Sequence, residues 1–237
     1  SADALARARK WLDGYSGAPL FLFVHTYATR PVHAGIDAVA DPGARTRHLA
    51  AYVEQVRAAD QGVRALLATV KDRCDADKAL FVLTSGHGEE FFEHRAVGHG
   101  THLYDEAMRV PLLLKGSKVK QKGRLDDSVS LVDVAPTLLT LAGVPVPASM
   151  KGSPFARLLQ SGTAPEAGPR VAEATRPVRL TDEGMLELWG APSYALREGS
   201  RKVIWNAGGD DSIEAYDLAA DPREQRNLAG AGPLPAW

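Results

Sequence analysis

Apolar positions along this chain change their spacing from block to block, and the spacing names the elements. Leu49, Tyr52, Val53, Val56, Val63, Leu66, Leu67 and Val70 recur at three- and four-residue steps. Such steps put one apolar stripe on a helix and predict a helix over 46–72. Short unbroken apolar runs at 19–24 (PLFLFV) and 79–83 (ALFVL) flank it and read as buried strands. Strand, helix and strand in that order predict a unit of the kind that builds parallel sheets. A further run at 110–114 predicts another strand, in the same sheet as 79–83. Residues 3–12 predict a short opening helix.

A helix is expected over about 133–142. Asp133 is placed to cap it, Pro136 falls in the first turn, where a missing N–H is harmless, and Gly143 suits a left-handed C-terminal cap. Residues 144–169, rich in Pro, Gly, Ser and Ala, read as a connection with a small helix near 154–160. Short strand candidates follow at 171–174, 185–189, 194–197, 201–205 and 213–218. Turn residues separate them, which predicts a small antiparallel sheet with Trp189, Trp205 and the tyrosines in its core. The domain reading is an α/β part over 1–145, a connection over 146–170 and an antiparallel subdomain over 171–237.

The chain has 237 residues, 45% hydrophobic and 24% charged, with a formal net charge of -1. That balance fits a globular protein with a sizeable core and gives no charge field for nucleic acid. The run Lys115, Lys118, Lys120, Lys122, Arg124 is too short and too poor in aromatics for such a role. No apolar run approaches the roughly 20 residues of a bilayer span. The single cysteine, Cys74, excludes an internal disulfide, and it reads as a small buried or half-exposed residue rather than a nucleophile.

The chemistry concentrates after the strand at 79–83. Four of the seven histidines (His87, His94, His99 and His102) fall in one short stretch. His87 and His99 each sit between glycines, which permit close approach of backbone to a ligand. In open α/β sheets ligands bind just past the carboxyl ends of strands, so His87 and His99 are the candidate site, with His94 and His102 weaker. Glu89 and Glu90 either ligate a metal or cap and flank the loop. Arg109 is expected to pair with Asp105 or Glu106, and His25 reads equally as core or site.

The block FVLTSGHGEEFFEHRAVGHGTHLYDEAMRVPLLL and the ending YDLAADPREQRNLA resemble the sulfatase family of the alkaline phosphatase superfamily. PLFLFVHTY and SLVDVAPTLLTLAGVPVP support the resemblance by order and spacing. It implies an alkaline-phosphatase-like α/β sheet flanked by helices, of which this is the C-terminal part, with a small C-terminal antiparallel sheet. It implies sulfuric ester hydrolysis as the ancestral activity, and calcium or another divalent cation in intact relatives. Residue by residue, His87 matches a metal ligand, and Gly86 stands where the family has a metal-ligating Asp. His99 matches a Lys or His that contacts the sulfate or the leaving oxygen. Arg30 stands where a histidine is expected, with His33 three residues on. The family's nucleophile motif and Asp pair belong to a half upstream of these residues.

These departures imply a chain inactive alone, with no cofactor of its own and a sulfate-like anion held by Arg30 and His99. They also imply an exposed sheet face that an upstream half or a dimer partner covers. The alternatives are a catalytically dead sulfatase-like module that binds a partner or an anionic ligand, and a phosphate or phosphonate ester hydrolase of the same superfamily. The compartment is not fixed by these residues; export, for instance to a periplasm, fits the parent protein by resemblance.

Overall fold

Helix α1 (Ala2–Asp13) lies against α2 (Ala44–Arg73) and closes the first core, where Leu5, Ala8 and Leu12 meet Leu66. The approach is close because Gly62 has no side chain: a Cβ there would stand 2.7 Å from Leu5 Cδ1. This computed structural model describes residues 2–17, 19–29, 43–75, 78–95, 97–100, 102–164, 168–174, 178–180, 186–188, 191–207 and 212–230.

From α2 the chain enters β1 (Leu80–Thr84), then β2 (Glu90–Phe91), β3 (Val97–Gly98), the single-turn helix α3 (Asp105–Met108) and β4 (Leu112–Gly116). Strands β1 and β4 pair, as the sequence predicts, but antiparallel, with Val82 opposite Leu114. The expected parallel unit is not formed. Residues 19–24 belong to no strand, and Phe21 and Phe23 are 81% and 77% exposed. A strand needs a backbone partner for its N–H and C=O groups, and no described residue supplies one here. The apolar run alone could not reveal that.

One face of the β1–β4 pair sends Leu80, Leu112 and Leu114 onto a second core of Leu141, Phe155, Ala156, Leu158 and Leu159. Leu141 comes from α4 (Val134–Ala142), and the others from α5 (Ala156–Ser161) and its N-cap residue Phe155. Gly143 ends α4 with φ +75°, the left-handed cap expected of it. Asp133 stands at the N-cap of α4 as expected, but its side chain makes no cap hydrogen bond to that helix. Its carboxylate reaches backward and accepts N–H bonds from Ser130 at 3.0 Å and Ser153 at 2.8 Å. A buried carboxylate goes where two donors converge, and here those are loop amides on either side of the helix.

Strands β5 (Arg170–Ala174), β6 (Val178–Leu180), β7 (Leu186–Leu188), β8 (Ser193–Glu198), β9 (Arg201–Asn206) and β10 (Ser212–Asp217) follow. Four of them form one antiparallel sheet in the order β10-β9-β8-β5, while β6 and β7 pair only with each other. The strand expected at 185–189 therefore lies apart from the small sheet. The inner face of that sheet holds Ala195, Ile204 and Tyr216, packed on Leu103 and Tyr104 from the histidine-rich segment. Trp205 is not core, being 44% exposed on the opposite face, where it stacks on Tyr194; Trp189 lies outside the described residues.

Candidate functional site

The loop after β1 is pinned before any side chain acts. Gly88 N–H donates to Ala107 O at 2.8 Å, and Glu89 N–H donates to Glu106 O at 2.9 Å. Loop and α3 run so close that a Cβ on Gly88 would lie 1.9 Å from Glu106 O. The glycine is required there by contact. On the other side, Tyr52 of α2 packs on Phe91 at 5.0 Å, and Arg45 pairs with Glu93 at 3.1 Å.

This frame brings His87 and His99 together. Their rings stack with centroids 3.6 Å apart and planes 18° apart. His87 Nδ1 lies 2.8 Å from Gly88 O, and His99 Nδ1 lies 3.0 Å from a Glu89 carboxylate oxygen. A carbonyl and a carboxylate only accept, so each Nδ1 carries the proton and each Nε2 is left for a ligand. A carboxylate behind an imidazole fixes its tautomer and ring orientation. Both rings line a cleft of about 210 Å³, shared with His102, Met108 and Glu173 of β5. The C-terminal sheet thus supplies part of the wall. Glu89 also acts on its surroundings: burial first, and its negative charge second, push the Tyr52 hydroxyl pKa up.

His94 and His102 pair with other carboxylates, although His102 also lines the cleft. His94 Nδ1 donates to Glu106 Oε1 at 2.5 Å and its Nε2 to Glu224 O at 3.0 Å, with Tyr104 stacked on the ring at 3.6 Å. Burial would lower its pKa, but these acceptors together with Glu90 outweigh it and hold the imidazolium above its ordinary range. His102 meets fully buried Glu90. Asp105 pairs with Lys202 at 2.9 Å and Arg197 at 3.2 Å, and Lys202 also pairs with Glu224 at 2.8 Å. The expected Arg109 pairing does not form among the described residues: Asp105 and Glu106 are taken by Lys202, Arg197 and His94. His25 packs on Tyr27, ring centroids 4.7 Å apart. Arg30 and His33 lie outside the described residues.

Sequence reasoning missed Lys202 and Glu224. Lys202 had a signal, since it shares the inward face of β9 with Ile204, where a charge demands a partner. Glu224 sits in a polar stretch with no such mark.

Among the described residues two groups of side chains could hold a cation: His87, Glu89 and His99, and separately Glu90, His102 and Glu106, the ligating atoms of each lying within 4.8 Å of one another. The first does not fit a hard cation. Calcium takes six to eight oxygen ligands, and here Glu89 alone offers oxygen, in use by His99. Gly86 supplies none, although a Cβ there would meet nothing within 4 Å. A softer ion on both rings must lie in both ring planes at once, and planes so nearly parallel meet only far from the pair. No described helix is long and apolar enough to cross a membrane.

A sequence model of the sulfatase family matches residues 1–144. Arylsulfatase K of Mus musculus is 33% identical over 153 residues, covering 64% of this chain and 27% of the relative. The N-acetylglucosamine-6-O-sulfatase of Bacteroides thetaiotaomicron is 29% identical over 180 residues, covering 76% and 31%. This chain thus spans between a quarter and a third of those proteins. Among solved structures, BT4656 in complex with its substrate D-glucosamine-2-N,6-O-disulfate superposes with a TM-score of 0.60 at 28% identity, over 76% of this chain and 35% of that one. The yidJ protein of Bacteroides fragilis gives a TM-score of 0.74 at 18% identity over 97% of this chain and 54% of that one, a likeness of fold. The histidine loop after β1, the family match and the superposed folds converge: this chain belongs to the sulfatase family and has the alkaline-phosphatase-like α/β fold with a four-stranded C-terminal sheet.

Proposed function

We propose that this chain forms the histidine-lined wall of a sulfatase-type site and binds a sulfate-like anion there without hydrolysing an ester by itself. The observation that carries the reading is the pair His87 and His99, each with Nδ1 committed to an acceptor and both lining one cleft beyond β1. His99 is the substrate-facing group and Glu89 holds it. Arg30 is a second anion holder by resemblance, because a guanidinium binds sulfate bidentately at any ordinary pH. Turnover needs nucleophile, cation and leaving-group donor together. These residues carry no family nucleophile motif, and Gly86 withholds the carboxylate a hard cation needs. That glycine is also the observation favouring a binding module over an enzyme.

The test follows histidine ring signals by NMR as inorganic sulfate is added, beside an aryl sulfate turnover assay. The His99 signals should shift with sulfate, His99→Ala should abolish the response, and turnover should be absent. Gly86→Asp should fold unchanged, given the open space at its Cβ, and still give no turnover. Hydrolysis of an aryl sulfate by the unmodified chain, lost in His99→Ala, would refute the inactive reading.

A further inference from the structure

The second side-chain group lies behind the cleft and has a different character from the first. Glu90 is fully buried in β2, and the side chains of His102 and Glu106 are nearly so, at 15% and 16% exposure. Three elements bring them together: β2, the segment before α3, and α3 itself. Backbone and ring of His94 then hold both carboxylates. His94 N–H donates to Glu90 Oε1 at 2.7 Å, and Nδ1–H donates to Glu106 Oε1 at 2.5 Å. Each glutamate therefore has one oxygen fixed from behind. His94 has no lone pair to offer, since its other nitrogen is committed to Glu224 O. Neither ring nitrogen of His102 makes a hydrogen bond, although both are buried and Nε2 faces Glu90 in a close ion-pair contact. Buried imidazole nitrogens without hydrogen bonds are costly, and an ion taken between His102 and the carboxylates would relieve the cost at the ligating nitrogen.

We propose that Glu90, His102 and Glu106 form a site for a single zinc ion. One imidazole nitrogen and two carboxylate oxygens suit zinc, and a three-ligand site keeps a fourth position for water or another ligand. Ligands anchored by outer partners, as these carboxylates are by His94, are the usual construction of such sites. The nearby cations, His94 and Lys202, are committed to Glu106, Glu224 and Asp105. They leave Glu90 facing His102. His102 also lines the cleft, so the ion has an entry path from solvent. Binding displaces whatever proton His102 shares with Glu90, so zinc uptake releases protons. The site is separate from the His87–His99 stack, whose ring planes do not converge.

The test uses the whole chain and zinc alone. After equilibration with excess zinc and dialysis, elemental analysis should find one zinc per chain, and cobalt in its place should give an intense visible spectrum. His102→Ala should weaken binding by about 100-fold or more, the upper range for losing even an outer partner. Glu106→Gln keeps the acceptor for His94 and provides a second variant if His102→Ala does not fold. His87→Ala and His99→Ala should leave stoichiometry and spectrum unchanged. A folded chain that retains no zinc would overturn the proposal, as would zinc lost with His87 or His99 but kept in His102→Ala or Glu106→Gln.

Discussion

Lys202→Met tests what joins the C-terminal sheet to the histidine segment. Lys202 Nζ lies 2.8 Å from Glu224 Oε1 and 2.9 Å from Asp105 Oδ1, and Glu224 Oε2 accepts the Asp105 N–H at 2.6 Å. Lysine and glutamate are both essentially buried, so water cannot replace the cation. Stranding a buried charge in this way costs about 3–5 kcal/mol, toward the lower end here because Asp105 keeps Arg197. Glu224→Gln keeps an acceptor for the Asp105 N–H and leaves Lys202 its Asp105 partner, so it should cost about 1–3 kcal/mol. The double variant strands neither group, so its cost should fall below the sum by up to about 3 kcal/mol.

The pH dependence follows in sign. Burial already pushes the Glu224 carboxyl up, against the pull of Lys202. Without the lysine it rises further above its unfolded value near about 4.3. A carboxyl with a raised folded pKa destabilises the fold above that pKa and ceases to do so once protonated in both states. The Lys202→Met penalty should therefore shrink as pH falls toward the unfolded value. Urea unfolding of the four proteins, followed by far-ultraviolet circular dichroism at several pH values, measures all of this. Additive costs, or a Lys202→Met penalty below about 1 kcal/mol, would refute the account of the triad.

Gly88→Ala should displace the histidine loop, because its methyl would stand 1.9 Å from Glu106 O, a backbone atom with little freedom to yield. Overpacking of this kind costs about 1–3 kcal/mol, read by urea unfolding, and the His87 and His99 ring signals should shift with it. Leu12→Ala removes a fully buried side chain from the α1–α2 core and should cost about 2–5 kcal/mol in the same measurement.

The sequence carried the elements whose signal is local. The α2 helix, the apolar runs of β1 and β4 and the Gly143 cap are each set by a few neighbouring residues, and each appears where the spacing puts it, although Leu49, Val53 and Val56 of the α2 stripe stand exposed. What failed was pairing. A run such as PLFLFV is compatible with a buried strand, but whether it pairs depends on backbone elsewhere, and here Phe21 and Phe23 stand exposed. Antiparallel β1–β4 and the separate β6–β7 pair are likewise properties of two segments at once.

The site shows the same division. Glycine flanks marked His87 and His99, and the structure stacks those two rings. Nothing in the spacing of His94 and His102 told that they would meet Glu106 and Glu90 behind the stacked pair, His102 still contributing to the cleft wall. That sorting is made by α3. Its backbone holds Gly88 and Glu89 on one side through Ala107 and Glu106, while its first turn gives Asp105 to Lys202 and Arg197. One four-residue helix thus fixes both the open histidine pair and the buried histidine–glutamate group. A perturbation that shifts α3 must therefore move both together, whereas removing His99 or His102 separates them. The proposed anion and zinc sites can fail independently only through side chains, and a joint failure points to the backbone that carries them.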